Sequence, residues 1–300
     1  MGTHINIVEI GPRDGFQSVK EFMPTEFKLE IIDGLVKSGI KRIQCTSFVS
    51  PKAIPQMQDA AVVAKTVIGK YPQTSFFALV PNFRGAESAV ENGVKDVSVV
   101  VSLSESHNKA NINRTHEQSI EEIKKIRGEF PDLKITVDAA TVFGCPFEGR
   151  MEIPPLIELL GKLHDVGIRA FTLCDTIGVA YPAQIRAILE SSKKAFPDSI
   201  FNLHIHDTRN MGIINSYEGI KCGAQSVETS LGGLGGCPFA PGASGNTSTE
   251  DFVYMMNREG YETGIDFSIV LETARKLREK AAGLYSGHHI NIDKVHQDFT

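Results

Sequence analysis

His204 and His206 stand two residues apart in Leu203-His204-Ile205-His206-Asp207. On a strand that spacing sends both imidazoles to one face. Two imidazoles on one face are half of a metal site, or else two histidines satisfied by hydrogen bonds in a polar pocket. Asp14 adds a carboxylate in Glu9-Ile10-Gly11-Pro12-Arg13-Asp14-Gly15, although an Asp-Gly pair is also a common turn. Two histidines, one aspartate and an amide or water oxygen suit a six-coordinate cation such as Mg2+ or Mn2+, whereas a thiolate-rich set would point to Zn2+. A third feature is the run 232–246, with six glycines and two prolines in fifteen residues. Cys237 lies at its centre. A free cysteine in such a loop can serve as an acid or base, or simply as a small buried hydrophobe. The run does not open a βαβ unit, so it is weak evidence for a nucleotide.

Positioning these residues requires a scaffold. β-branched runs at 5–10, 42–46, 75–80, 96–102, 134–139, 170–174, 201–206 and 226–229 read as strands. Helical periods fill 25–38, 59–70, 83–92, 116–130, 154–166, 183–195 and 211–221, and two more follow at 248–258 and 267–284. Gly39, Gly93, Gly167 and Gly223 each sit just past a predicted helix and shortly before a strand. Helix, glycine, strand, repeated along the chain, predicts βα units around a parallel sheet. Eight such strands favour a closed (β/α)8 TIM barrel over an open doubly wound sheet. No Pro/Ser-rich linker divides the chain, so residues 1–300 read as one domain, with about 248–300 as C-terminal helices and tail. The polar residues cluster at the C-terminal strand ends, where barrel enzymes carry their chemistry, and the opposite ends read as bland.

Composition excludes several classes. The 300 residues are 41% hydrophobic and carry a formal net charge of −5, with no basic block to hold nucleic acid. No apolar run approaches the roughly 18 residues of a membrane span. Residues 1–10 lack the basic-then-apolar pattern of a signal peptide. Five cysteines without Cys-x-x-Cys spacing suit a reducing compartment, so a cytoplasmic location is expected.

With these residues in hand, the chain resembles the 3-hydroxy-3-methylglutaryl-CoA lyase family. The matching segments run in order from residue 9 to 251: Glu9 to Gly15, Thr46 to Lys52, Val80-Pro81-Asn82, Phe143-Gly144-Cys145-Pro146, Asp175-Thr176-Ile177-Gly178, His204 to Thr208, residues 232–246, and Thr249-Glu250-Asp251. The resemblance implies a (β/α)8 lyase that uses a divalent cation to split 3-hydroxy-3-methylglutaryl-CoA into acetyl-CoA and acetoacetate. It implies Asp14, His204, His206 and Asn246 around the cation, Arg13 on the enolate oxygen, Cys237 as the acid, and Glu9 and Asp175 as polar supports. It also implies a homodimer and an acyl-CoA partner. The chain departs from the family's pattern at Gln44, where a glutamate is usual, at Asp138, usually aromatic, and at Cys174, usually glycine. Those positions, with Thr172, are candidates for the substrate pocket. They keep open a lyase for a related 3-hydroxyacyl-CoA such as citramalyl-CoA. A condensing synthase or 2-oxo-acid aldolase fits the Gly-Gly-Cys-Pro loop less well, and a non-enzymatic binding protein fits the polar set least. Lys20, Lys52, Arg84 and Lys109 could meet coenzyme A phosphates or be solvated loop charges.

Overall fold

The computed structural model describes residues 3–236 and 245–292. Eight parallel strands close into a barrel in chain order. They are β1 (Asn6–Glu9), β2 (Arg42–Ser47), β3 (Ser75–Leu79), β4 (Asp96–Ser102), β5 (Lys134–Ala140), β6 (Ala170–Asp175), β7 (Ile200–Ile205) and β8 (Ser226–Thr229). β8 pairs with β1 through four residues, Asn6 opposite Ser226 to Glu9 opposite Thr229, and this pairing closes the ring. Helices α1 (Thr25–Lys37), α2 (Ala60–Lys70), α3 (Phe83–Glu91), α4 (Glu105–Ile112), α5 (His116–Glu129), α6 (Ile153–Asp165), α7 (Pro182–Ala195) and α8 (Gly212–Lys221) surround it. Two further helices, α9 (Thr249–Arg258) and α10 (Phe267–Lys280), follow β8.

The main hydrophobic core lies between strands and helices. Residues such as Ile43, Val97, Val137, Phe171 and Leu203 face Ile31, Ile123, Leu160 and Leu189 there. Burying such side chains is the dominant favourable term in folding. Inside the ring the apolar content shrinks to a separate small cluster of Val8, Ile10 and Phe77. Most of the other inward side chains are polar, with Leu79, Val100 and Ala140 among the exceptions, which leaves room for chemistry on one side of that plug.

The glycines expected to end helices do so. Gly39 has φ 99° and its missing Cβ would meet the Gly264 carbonyl, so the turn out of α1 needs glycine on both counts. Four local expectations are corrected. Helix α4 has no apolar stripe to read; its Ser104 cap accepts from the His107 backbone amide at 3.0 Å, and Asn108 ties Ser102 to Arg114 and Ser119. The last helix stops at Lys280, and Ala281 turns to extended backbone so that the following segment can pack back on the barrel mouth. Strand β7 ends at Ile205, and His206 instead forms an isolated antiparallel bridge with Asn246. The N-terminal strand ends are also not bland: Arg42 pairs with Asp96 there, and Lys41, Arg127, Lys134 and Arg169 help line a second cavity.

Candidate active site

The chain leaves β1 in one wide helical turn, Gly11–Gly15, whose Arg13 and Asp14 amides donate to the Ile10 carbonyl. Asp14 therefore belongs to a buried helical turn and not to a surface Asp-Gly turn. The turn aims Asp14 across the barrel mouth at His204 on β7 and His206 just past it. One ligand atom from each of the three lies within 4.8 Å of the others. The Nε2 atoms of the two imidazoles face each other at 3.0 Å. Glu228 on β8 lies 3.0 Å from Nδ1 of His204, which leaves Nε2 as the atom turned to the site. Asn246 donates from Nδ2 to Asp14 Oδ2 at 2.8 Å and to the Leu234 carbonyl at 3.2 Å. Its Oδ1 is buried with no partner among the described residues.

A partnerless amide oxygen beside a carboxylate and two facing imidazole nitrogens is the donor set a Mg2+ or Mn2+ ion would satisfy. The electrostatics agree. Burial raises the Asp14 pKa, but Arg13, His204 and His206 outweigh it and hold the carboxylate ionised. Burial and the neighbouring His204 push His206 down to about 3. Burial also works against the charged form of His204, yet Glu228 and Asp14 overcome it and raise its pKa. The pocket thus favours one extra positive charge between the rings, the place a cation would take.

Arg13 donates from Nε to Gln44 and pairs with Asp14. Gln44 passes its other end to Ser98 on β4 at 2.9 Å. Arg13, Asp14, Asp138, Cys174, His204 and His206 share the wall of a cavity of about 520 Å3, the size of a small-molecule site. Gln44 backs that wall through Arg13. Thr172, expected in the substrate pocket, lines the cavity at the opposite end of the barrel. It sits one inward step deeper than Cys174, and its hydroxyl reaches Glu228 Oε1 at 3.4 Å.

Glu9 and Asp175 do not line the cavity. Fully buried Glu9 accepts from the Gly11 and Leu231 amides at 2.7 and 3.0 Å and from the Thr249 hydroxyl at 2.7 Å, so it ties the turn after β1 to the segment after β8. Burial lifts its pKa to about 7. Asp175 accepts from the Val179 and Ala180 amides at 2.9 Å each and shapes the loop after β6. Cys237 lies outside the described residues, next to Gly236 on the cavity wall. Sequence reasoning missed Glu228. Its one signal was alternation, since Ser226 and Glu228 are polar at every second position of a short buried strand.

A segment near the end of the described chain completes the mouth. The Ser286 hydroxyl donates to the Asn246 carbonyl at 2.6 Å, and the Gly287 amide donates to the Gly232 carbonyl at 3.0 Å.

The family model described as HMGL-like matches residues 4–277. The chain is 40% identical over 292 residues to hydroxymethylglutaryl-CoA lyase YngG of Bacillus subtilis, covering 97% of both proteins. It superposes on the crystal structure of the Bacillus subtilis HMG-CoA lyase with a TM-score of 0.91 at 38% identity, covering 96% of this chain and 97% of that one. It also superposes on an HMG-CoA lyase from Acinetobacter baumannii in complex with coenzyme A and 3-methylmalate, with a TM-score of 0.87 at 35% identity, covering 98% and 93%. With the barrel, the buried donor set and this similarity along nearly its whole length, the chain belongs to the HMGL-like family, that of the hydroxymethylglutaryl-CoA lyases.

Proposed function

We propose that this protein is a carbon–carbon lyase that cleaves 3-hydroxy-3-methylglutaryl-CoA to acetyl-CoA and acetoacetate. The observation that carries the reading is the convergence of Asp14, His204, His206 and the partnerless Asn246 Oδ1 beside Arg13 in one cavity. The reaction removes the proton of the C3 hydroxyl and breaks the bond between C2 and C3. C3 becomes the ketone of acetoacetate, and the electron pair moves onto C2 and the thioester oxygen. A Mg2+ or Mn2+ ion held by Asp14, His204, His206 and Asn246 would make the hydroxyl more acidic and fix its position. Arg13 stays charged throughout and stabilises the enolate oxygen, a task for which a rigid guanidinium pinned by Gln44 and Asp14 is suited. Cys237 then protonates C2. Asp14, a water or a neighbouring imidazole serves as the base. Glu9 and Asp175 hold the loops that present these groups. The cytoplasm is the proposed compartment, in keeping with the four free cysteines among the described residues, and a homodimer is the assembly the family resemblance suggests.

A second reading has an observation in its favour. Asp138 lines the cavity with a buried carboxyl oxygen that has no partner among the described residues, and a relative is in complex with coenzyme A and 3-methylmalate. A related acyl group, as in citramalyl-CoA, would then be the substrate, giving acetyl-CoA and pyruvate. Steady-state cleavage of both thioesters, with Mg2+ or Mn2+ and with chelator, separates the readings. Cation-dependent release of acetoacetate, with citramalyl-CoA poorly used, supports the first. Pyruvate from the second thioester and silence on the first reverses the order, and silence on both sinks the lyase assignment.

A further inference from the structure

The cavity contains a carboxyl group that the reaction just described does not use. Asp138 points inward from β5, in register with Val100 on β4 and Thr172 on β6. It is 6% exposed, and its Oδ1 has no hydrogen-bond partner among the described residues. The group is otherwise tightly held. The Ser98 hydroxyl, which accepts from Gln44 at 2.9 Å, hydrogen-bonds the Asp138 carboxyl. Glu228 approaches from β8, His204 from β7, Cys174 from β6 and Arg13 from the turn after β1. Leaving a buried carboxyl oxygen unpaired is costly, and buried polar groups find partners in protein, water or ligand. The described residues supply no partner for Oδ1, and Asp138 lines the cavity that holds Arg13, Asp14 and the two histidines.

We infer that Asp138 is a specificity-determining residue whose free carboxyl oxygen hydrogen-bonds a hydroxyl or carboxyl group on the acyl part of the substrate. The inference rests on the lyase reading and deepens it, because it names the part of the thioester that this pocket inspects. An acyl chain with an oxygen at that point completes the Asp138 shell. One ending in a methyl group leaves Oδ1 unpaired and is rejected, and sites built to hydrogen-bond a substrate group discriminate strongly against analogues that lack it.

The test uses the Mn2+-loaded full chain, with Asp138→Leu and Asp138→Asn as variants. Three thioesters are compared: 3-hydroxy-3-methylglutaryl-CoA, its analogue ending in a hydroxymethyl group, and 3-hydroxy-3-methylvaleryl-CoA, which ends in a methyl group at the same position. Each is measured as substrate and as competitive ligand, with Mn2+ affinity and Tm recorded for every variant. The expected result is that wild type prefers the oxygen-bearing chains and that Asp138→Leu compresses this preference about 10- to 100-fold. Asp138→Asn should fall between them, with Mn2+ affinity unchanged in all. Preferences within twofold of wild type in both variants would overturn the proposal, since Oδ1 is then satisfied by water. Lost preference together with lost Mn2+ affinity would also overturn it, because Asp138 would then act through His204. If wild type turns over none of the three, the 3-hydroxy-3-methylglutaryl-CoA reading fails by itself, and the binding preference still decides the role of Asp138.

Discussion

Arg13 is fixed between an amide and a carboxylate, and that fixity is what makes it more than a nearby positive charge. Its Nε goes to Gln44 and its NH1 to Asp14. Lysine has a compact ammonium in place of the planar fork that reaches Gln44 and Asp14 in one fixed geometry, so Arg13→Lys should lower kcat/KM by about 100- to 1000-fold with little change in Tm. Glu228 acts one bond further out. Glu228→Gln removes the charge that holds His204 in one tautomer, and Mn2+ affinity should fall about 10- to 100-fold by titration calorimetry. Unchanged affinity would leave Glu228 as mere barrel filling. Cys237→Ser should fold and bind cation normally but lose most turnover, and near-normal turnover would move the acid elsewhere. At this scale the sequence was partly legible. His204 and His206 announced themselves through their spacing, and Asp14 through its place just after the first strand in the Glu9 to Gly15 segment, although Gly15 also made it look like a common turn. Glu228 did not, because a single glutamate in a four-residue strand has the same sequence signature whether it faces solvent or the barrel axis.

The turns around the mouth show why elements, and not only side chains, build the site. Gly245 precedes Asn246 with φ 94°, and an added Cβ would run into the Gly233 and Gly235 carbonyl oxygens. Gly245→Ala should therefore destabilise the protein by about 1–3 kcal/mol and weaken cation binding, because Asn246 shifts with its backbone. Thermal unfolding with and without Mn2+ checks both parts. The βα alternation was legible because most of the helices carry an apolar stripe and four of them run into a glycine, as α1 does at Gly39. α4 was not, because Glu105 to Ile112 has no such stripe and is held by Ser104 and Asn108. The end of α10 was missed for a different reason. Nothing in the local pattern of residues 281–284 opposes a helix strongly, and what stops it is packing against the barrel mouth.

At the scale of the whole molecule, three buried acids tie stability to pH. Burial and a neighbouring carboxylate lift Asp138 to about 7 and Glu250 to about 8, and burial alone lifts Glu9 to about 7. Each is protonated in the fold at a pH where the unfolded chain is already ionised, so folding takes up protons. The stability from this source is complete below the ordinary carboxylate range and is lost as pH rises toward 8. In chelator, the Tm of wild type should decline across that window. Glu250→Gln, which keeps an oxygen to accept the Gly232 amide, should flatten the slope and, at pH 8, raise the unfolding free energy by an amount of the order of a few kcal/mol, read as a higher Tm. A steeper decline in the variant would show that Glu250 is ionised in the fold.

The bond between Asp14 and Asn246 joins residues 232 positions apart. During synthesis Asp14 leaves the ribosome long before its partners exist, and His204, His206 and Asn246 follow only with the last third of the chain. A chain that stops short of residue 204 therefore holds Asp14 without the imidazoles and the amide that complete the donor set. Metal capture is a signal that the ring has shut, and a cell that supplies the ion late loses nothing by it.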